Sequence, residues 1–239
     1  MPQTWVNALD QYSYPVKLAC YANTKDCPAF FNRQIEGRRN STIDFEAYFQ
    51  TNIQEIEVWC EVVFWKLYSS QRYRRDTNTK KCWDFWISEN ITTKDLYNAA
   101  NNFIVNNDRN SFDKYRRLWP FQGGIAVLAT PISFLAPDYF PMIDTRIAKW
   151  VASQLDRFNE RDPDGPQLRK SRYGQTASEH LTMADFDFYL HWICWTQHTA
   201  NKLSQQTKMK WRARDVEMAV YTAWGDKGYS HPRLPLHPI

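Results

Sequence analysis

The sequence predicts an all-α protein. Apolar residues recur at three- and four-residue steps over long stretches, candidate helix caps stand ahead of them, and no run alternates apolar and polar residues as a half-buried strand would. Eleven Trp, thirteen Tyr and fourteen Phe against seven Gly fit that picture, because large rings fill the space between packed helices. At 239 residues the chain can bury a sizeable core as one domain or as two closely packed lobes, and a single functional unit is expected.

Residues 1–41 mix Pro, Asn, Tyr and basic residues without a sustained period, so they are expected to be an irregular N-terminal extension packed on the body by its aromatics. The helical body, residues 42–239, begins where Phe45, Tyr48, Phe49, Ile53, Ile56, Cys60, Val63, Phe64 and Leu67 fall into helical spacing. A break is possible at Thr51, where Thr51 and Gln54 can form a capping box. The polar, basic run Ser69–Arg75 is expected to end that helix as a loop. Further helices are expected at about 80–88, at 93–106 capped by Thr92 with Asp95, and at 112–119 capped by Ser111. Pro131 is expected to interrupt the apolar run that follows, with Thr130-Pro131 starting a new short helix. Asp144 then caps a helix with Ile147, Trp150, Val151, Leu155 and Phe158 on one face. Residues 159–181 read as a long polar loop, Thr182 with Asp185 caps a long helix to about Ser204, and a last helix spans about 213–224 before an extended tail.

The balance of 30 Lys+Arg against 26 Asp+Glu permits a polyanionic partner without demanding one. Five cysteines (Cys20, Cys27, Cys60, Cys82, Cys194) form no dense framework and no charged-then-apolar leader precedes them, which points to free thiols and a cytoplasmic location. No apolar run approaches the roughly 20 residues that cross a bilayer, so no membrane partner is expected. A monomer is expected.

Residues 121–147 carry the most functional information. Gly123-Gly124 opens an apolar helical run, and bare backbone amides at such a turn can meet a phosphate. Phe140-Pro141-Met142-Ile143-Asp144 then sets one carboxylate at a helix N-terminus, where an anion is favoured. The segment Phe140–Ile147 resembles the Pro-x-x-Asp-Thr-x-Val/Ile stretch of the helix-hairpin-helix DNA glycosylase superfamily, and Gly123-Gly124 lies where its hairpin turn would end. Leu67-Tyr68-Ser69-Ser70-Gln71 is similar to the family's Leu-x-Ser-x-Gln segment. The likeness covers about residues 52–158.

The resemblance implies a helix-hairpin-helix glycosylase-like helical bundle. It implies that Asp144 is catalytic, that Gly123 and Gly124 bind a DNA phosphate beside Thr145, and that Gln71 fills the gap left by a flipped base. Arg72, Arg74 and Arg75 stand ready to grip flanking phosphates. Trp83, Trp86, Asp187 and His191 are candidates for the base pocket. The partner implied is double-stranded DNA with a damaged or modified base, in base-excision repair or in defence against modified phage DNA.

Two departures define a subtype. Family members that also cut the strand carry a lysine soon after the hairpin, and Ile125-Ala126-Val127-Leu128-Ala129 has none, which implies a monofunctional enzyme without lyase activity. Members with an iron-sulfur cluster hold it on closely spaced C-terminal cysteines, whereas only Cys194 lies in the last hundred residues; no cofactor is expected.

Two other classes compete. A non-catalytic DNA-binding module would keep the fold without the chemistry. A metal-dependent hydrolase would use the stripe Asp187, His191, Cys194 and His198, but His191 and His198 lie about 10.5 Å apart along a helix, too far to share one ion, and no metal is expected. Lys208, Lys210, Arg212 and Arg214 around Trp211 suit a DNA backbone contact or a solvated helix start equally.

Overall fold

A computed structural model describes residues 2–17, 36–67, 72–120, 124–173, 180–224 and 236–238; for 15–17, 36, 37 and 72–76 it describes the backbone alone. The described residues are mostly helical, with ten α-helices and one pair of short strands. Two compact units divide the chain: Met1–Ser13, Gly123–Ala129 and Ala136–Ile239 form one, and Tyr14–Gln122 with Thr130–Leu135 form the other.

Among the first 41 residues, the described ones, 2–17 and 36–41, are less irregular than expected. Helix α1 spans Pro2–Asp10, strand β1 spans Ser13–Lys17, and β2, Glu36–Arg38, pairs with β1. Helix α2 already begins at Arg39. In α1 the buried residues Trp5, Ala8 and Leu9 do follow helical steps, over a segment too short for the period to stand out.

The second unit continues through α2 (Arg39–Thr51), α3 (Ile56–Leu67), α4 (Arg72–Ser88), α5 (Thr93–Asn106) and α6 (Arg109–Arg116). The break near Thr51 is present without the expected capping box. Thr51 Oγ1 donates to Ala47 O at 2.9 Å, and Gln54 Nε2 reaches the Thr51 carbonyl at 3.5 Å. The run around Arg72–Arg75 is not a loop: those residues open α4, and the nearly all-polar stretch 72–79 hides this because it carries no apolar stripe. Thr92 and Asp95 form the predicted box at α5. At α6 the cap is Asp108, three residues before the expected Ser111, because Asp108 Oδ1 accepts from Ser111 N at 2.8 Å.

Aromatic rings fill the core of this unit. Phe134 meets Phe45 and Trp65 edge-on at 5.4 and 5.3 Å, Phe49 meets Trp59 at 5.1 Å, and Trp119 lies between Trp86 and Tyr115 at 5.0 and 5.6 Å. Such pairs add about 0.5–1.5 kcal/mol each beyond area burial.

Helix α7 (Ile125–Leu135) runs unbroken through Pro131, against expectation. An interior proline costs about 3 kcal/mol or more. Leu128, Ala129, Ile132 and Phe134 are all fully buried on that helix, and burial at roughly 1.5–3 kcal/mol for each large side chain exceeds the cost.

The first unit holds α1, α8 (Thr145–Arg161), α9 (Phe186–Thr207) and α10 (Ala213–Trp224). Most of the predicted stripe of α8 faces inward, with Ile147, Trp150, Val151 and Phe158 buried and Leu155 half-buried. Trp150 packs on Phe158 at 5.2 Å and on Trp195 at 5.8 Å, Trp195 stacks with Trp192 at 5.4 Å, and Trp5 closes the cluster edge-on to Phe158 at 6.3 Å. The Thr182–Asp185 box forms as expected, but it caps a single 3-10 turn, Met183–Asp185, that leads into α9. Helix α10 is buried almost all round, including Arg214, Asp215 and Glu217. Their charges are met locally, since Arg212 Nε pairs with Asp215 at 3.0 Å and Arg214 pairs with Glu217.

Candidate functional site

The start of α8 is built from a buried approach. Phe140, Met142 and Ile143 are buried, and α9 fixes the backbone between them and the helix. Trp192 Nε1 donates to Met142 O at 2.9 Å, and Tyr189 OH donates to Pro141 O at 3.3 Å. Burial pushes the Tyr189 phenol well above its usual range, so it stays a neutral donor.

Asp144 follows in an extended conformation (φ −153°, ψ −179°) and is half-buried. Its Oδ1 accepts from Arg146 N and Ile147 N, both at 2.9 Å, which satisfies two of the amides that a helix start leaves unpaired. Oδ2 has no hydrogen-bond partner among the described residues. One oxygen therefore caps the helix, and the carboxylate lies at its positive end, where an anion is favoured. On the same turn, Arg146 bonds to Tyr221 OH and lies 4.7 Å from that ring's centroid, and Thr145 is half-buried.

The helix α7 start is only partly described, because Phe121, Gln122 and Gly123 lie outside the described residues. A Cβ added at Gly124 would meet no atom of the described residues within 4 Å, so none of them requires glycine there. The amide of Ile125, the residue after the glycine pair, donates to Leu181 O at 3.3 Å.

The remaining predicted residues are scattered. Gln71 lies outside the described residues, and Arg72, Arg74 and Arg75 are described in backbone only, within α4. Trp86 corrects its expected role: it is fully buried, donates to Leu118 O at 2.8 Å and packs on Trp119, so it fills the core of the second unit. Trp83, in the same helix, is half-buried. Asp187 is exposed on α9 in the first unit with half-buried His191 one turn on. Burial and then the Arg169 charge hold the His191 imidazole below its usual range, against Asp187 and a bond to the Gln167 backbone.

Among the described residues no three His, Cys, Asp or Glu side chains converge on a point where a metal ion could sit. His198 is instead engaged by Asp162, an interaction that sequence reading missed because Asp162 falls where the polar loop begins. Asp162 Oδ2 accepts from Lys202 Nζ at 2.7 Å and from His198 Nε2 at 2.8 Å, beside a shallow groove walled by Phe158, Trp195, Thr199 and Pro238. Lys202 first, and His198 with it, hold the Asp162 carboxyl below the usual carboxylate range. Gly165 makes room for this carboxylate, since a Cβ there would overlap Oδ2. No helix among the described residues is long and apolar enough to cross a membrane.

Comparison of the chain with protein-family models, with curated proteins and with solved structures returned no match.

Proposed function

We propose that the chain is a monofunctional DNA glycosylase that flips a damaged or modified base out of duplex DNA, hydrolyses its N-glycosidic bond and leaves an abasic site. The observation that carries this reading is the divided carboxylate of Asp144, with Oδ1 holding two helix amides at 2.9 Å and Oδ2 without a partner among the described residues. Positive charge develops on the sugar as the base leaves; a carboxylate fixed beside it stabilises that charge and orients the attacking water. Gln71 fills the vacated stack, and Gly123, Gly124 and Thr145 hold the backbone. The open space around Gly124 supports this, because a phosphate approaching the chain needs a position without a side chain. Ile125 N, bonded to Leu181 O, is not available to that phosphate.

The test is mass spectrometry of bases released from varied genomic and phage DNAs by the purified chain. Release of one modified base, with an abasic product and no covalent complex trapped by borohydride, is the expected result. Failure to release a free base from any of these duplexes, with duplex binding intact, would replace the enzyme with a binding module of the same fold.

A further inference from the structure

Residues 162–173, the described stretch that follows α8, are more firmly built than their polar composition suggests. Gln167 Nε2 donates to the carbonyls of Asp162, Pro163 and Gly165 at 2.9, 3.2 and 2.9 Å. Leu168 is buried, and its backbone N–H and carbonyl both bond to the Asn159 side chain, at 2.8 and 3.0 Å. Arg172 N donates to the buried carboxylate of Asp185 at 2.6 Å. The Tyr173 ring lies 5.4 Å from Lys149 Nζ on α8.

Between these anchors the chain displays charge of one sign. Residues 167–173 hold three cations, Arg169, Lys170 and Arg172, and no carboxylate. All three are exposed, and none makes an ion pair with a described residue. The neighbouring His191 is held below its usual range and adds no fourth charge at neutral pH. Because the backbone is already fixed, an anion can bind these side chains without the cost of ordering a loop. Three cations within four residues suit a row of closely spaced anions better than a single carboxylate, and a nucleic-acid backbone is such a row. Lys149, which meets the end of this loop, lies five residues beyond Asp144, about 7.5 Å along the α8 axis.

We propose that residues 167–173 form a phosphate clamp, in which Arg169, Lys170 and Arg172 bind the backbone of duplex DNA and set the register at which a nucleotide reaches Asp144. The clamp rests on the glycosylase reading of Asp144. The test is the affinity of the full chain for a fluorescein-labelled duplex, measured by anisotropy over a series of KCl concentrations. The clamp triple Arg169→Gln/Lys170→Gln/Arg172→Gln is compared with a control, Lys94→Gln/Lys114→Gln/Arg161→Gln, that removes the same charge from scattered exposed positions. The slope of log affinity against log salt should fall by about 0.9 for each phosphate that is no longer neutralised, close to 3 in all for the clamp triple, and by much less for the control. Thermal midpoints of both should match the parent, since every substituted side chain is exposed.

If the parent chain binds no duplex at any salt, the glycosylase reading falls. If the parent binds and the clamp triple keeps its slope, that reading stands and the clamp is wrong. Equal reductions in the two triples overturn the clamp as well, because they report net charge alone. So does a clamp triple that loses binding to phosphatidylserine vesicles while its duplex binding is unchanged.

Discussion

Asp108 and Asp144 are both helix N-caps, each accepting a bond from a backbone amide of the first turn. At α6 the Asp108 carboxylate bonds to Ser111 N at 2.8 Å and to Ser111 Oγ at 3.0 Å, and these bonds, the backbone one first, hold it below the usual carboxylate range. It sits in the open, satisfied within its own turn. At α8, Asp144 spends Oδ1 on two amides with no hydroxyl joining them among the described residues, and the chain entering the turn is buried. Capping explains why both aspartates suit their positions. Both caps spend the same oxygen, Oδ1, so what sets them apart is their surroundings: Asp108 is exposed, whereas Asp144 is half-buried at the end of a buried approach.

The largest expected difference between the two caps is catalytic. Asparagine caps a helix about as well as aspartate, so Asp144→Asn should leave the thermal midpoint unchanged while lowering base release by roughly 10²–10⁴-fold. Asp108→Asn should alter neither. Base release by Asp144→Asn at the parent rate would make Asp144 a cap and no more.

A second expectation concerns the support behind Asp144. Trp192→Phe keeps most of the ring packing but strips the buried Met142 carbonyl of its donor, at a cost of about 1–3 kcal/mol in urea unfolding. Loss of base release beyond that expected from unfolding would show that the bond also positions the turn. Smaller again is the cap itself. Asp144→Ala and Asp108→Ala should each cost ~1 kcal/mol, and a marked inequality would mean that one aspartate does more for the fold than hold amides.

How much of this was legible follows from range. The Thr92–Asp95 and Thr182–Asp185 boxes, the Asp144 cap and the stripe of α8 are local patterns, complete within a turn or two, and the sequence displays them. Pro131 inside α7 was misread because burial of Phe134 and its neighbours, set by distant residues, outweighs a local rule. The start of α4 was missed because a helix without an apolar stripe has no period to detect. At the candidate site, Asp144 was legible. The bond from Trp192, the use of Ile125 N by Leu181 and the Asp162 triad were not, because each joins residues far apart in sequence that only the fold brings together. Trp86 was misassigned because an aromatic in a sequence carries no mark of whether it faces a cavity or a core.

The opposite end of α8 sharpens the contrast at the smallest scale. Asp162 is the C-cap of that helix, where the partial negative charge of the helix end disfavours a carboxylate, the reverse of the situation at Asp144. Lys202 and His198 offset this, and because the folded value of Asp162 is lowered, the stability they confer is fully present above the unfolded carboxylate value of about 3.9 and is lost as pH falls through the folded one. The three side chains are each about one-third exposed (30–34%), so the contribution is only about 0.2–1 kcal/mol. Asp162→Asn should therefore lower the unfolding midpoint slightly at neutral pH, and the gap from the parent should close in acid. Gly165→Ala should reproduce that loss from the outside, since its Cβ would displace the same carboxylate. A gap that persists unchanged at low pH would assign the effect of Asp162 to its other bonds, such as that from Gln167 Nε2 to its backbone carbonyl, rather than to the charge held against the end of the helix.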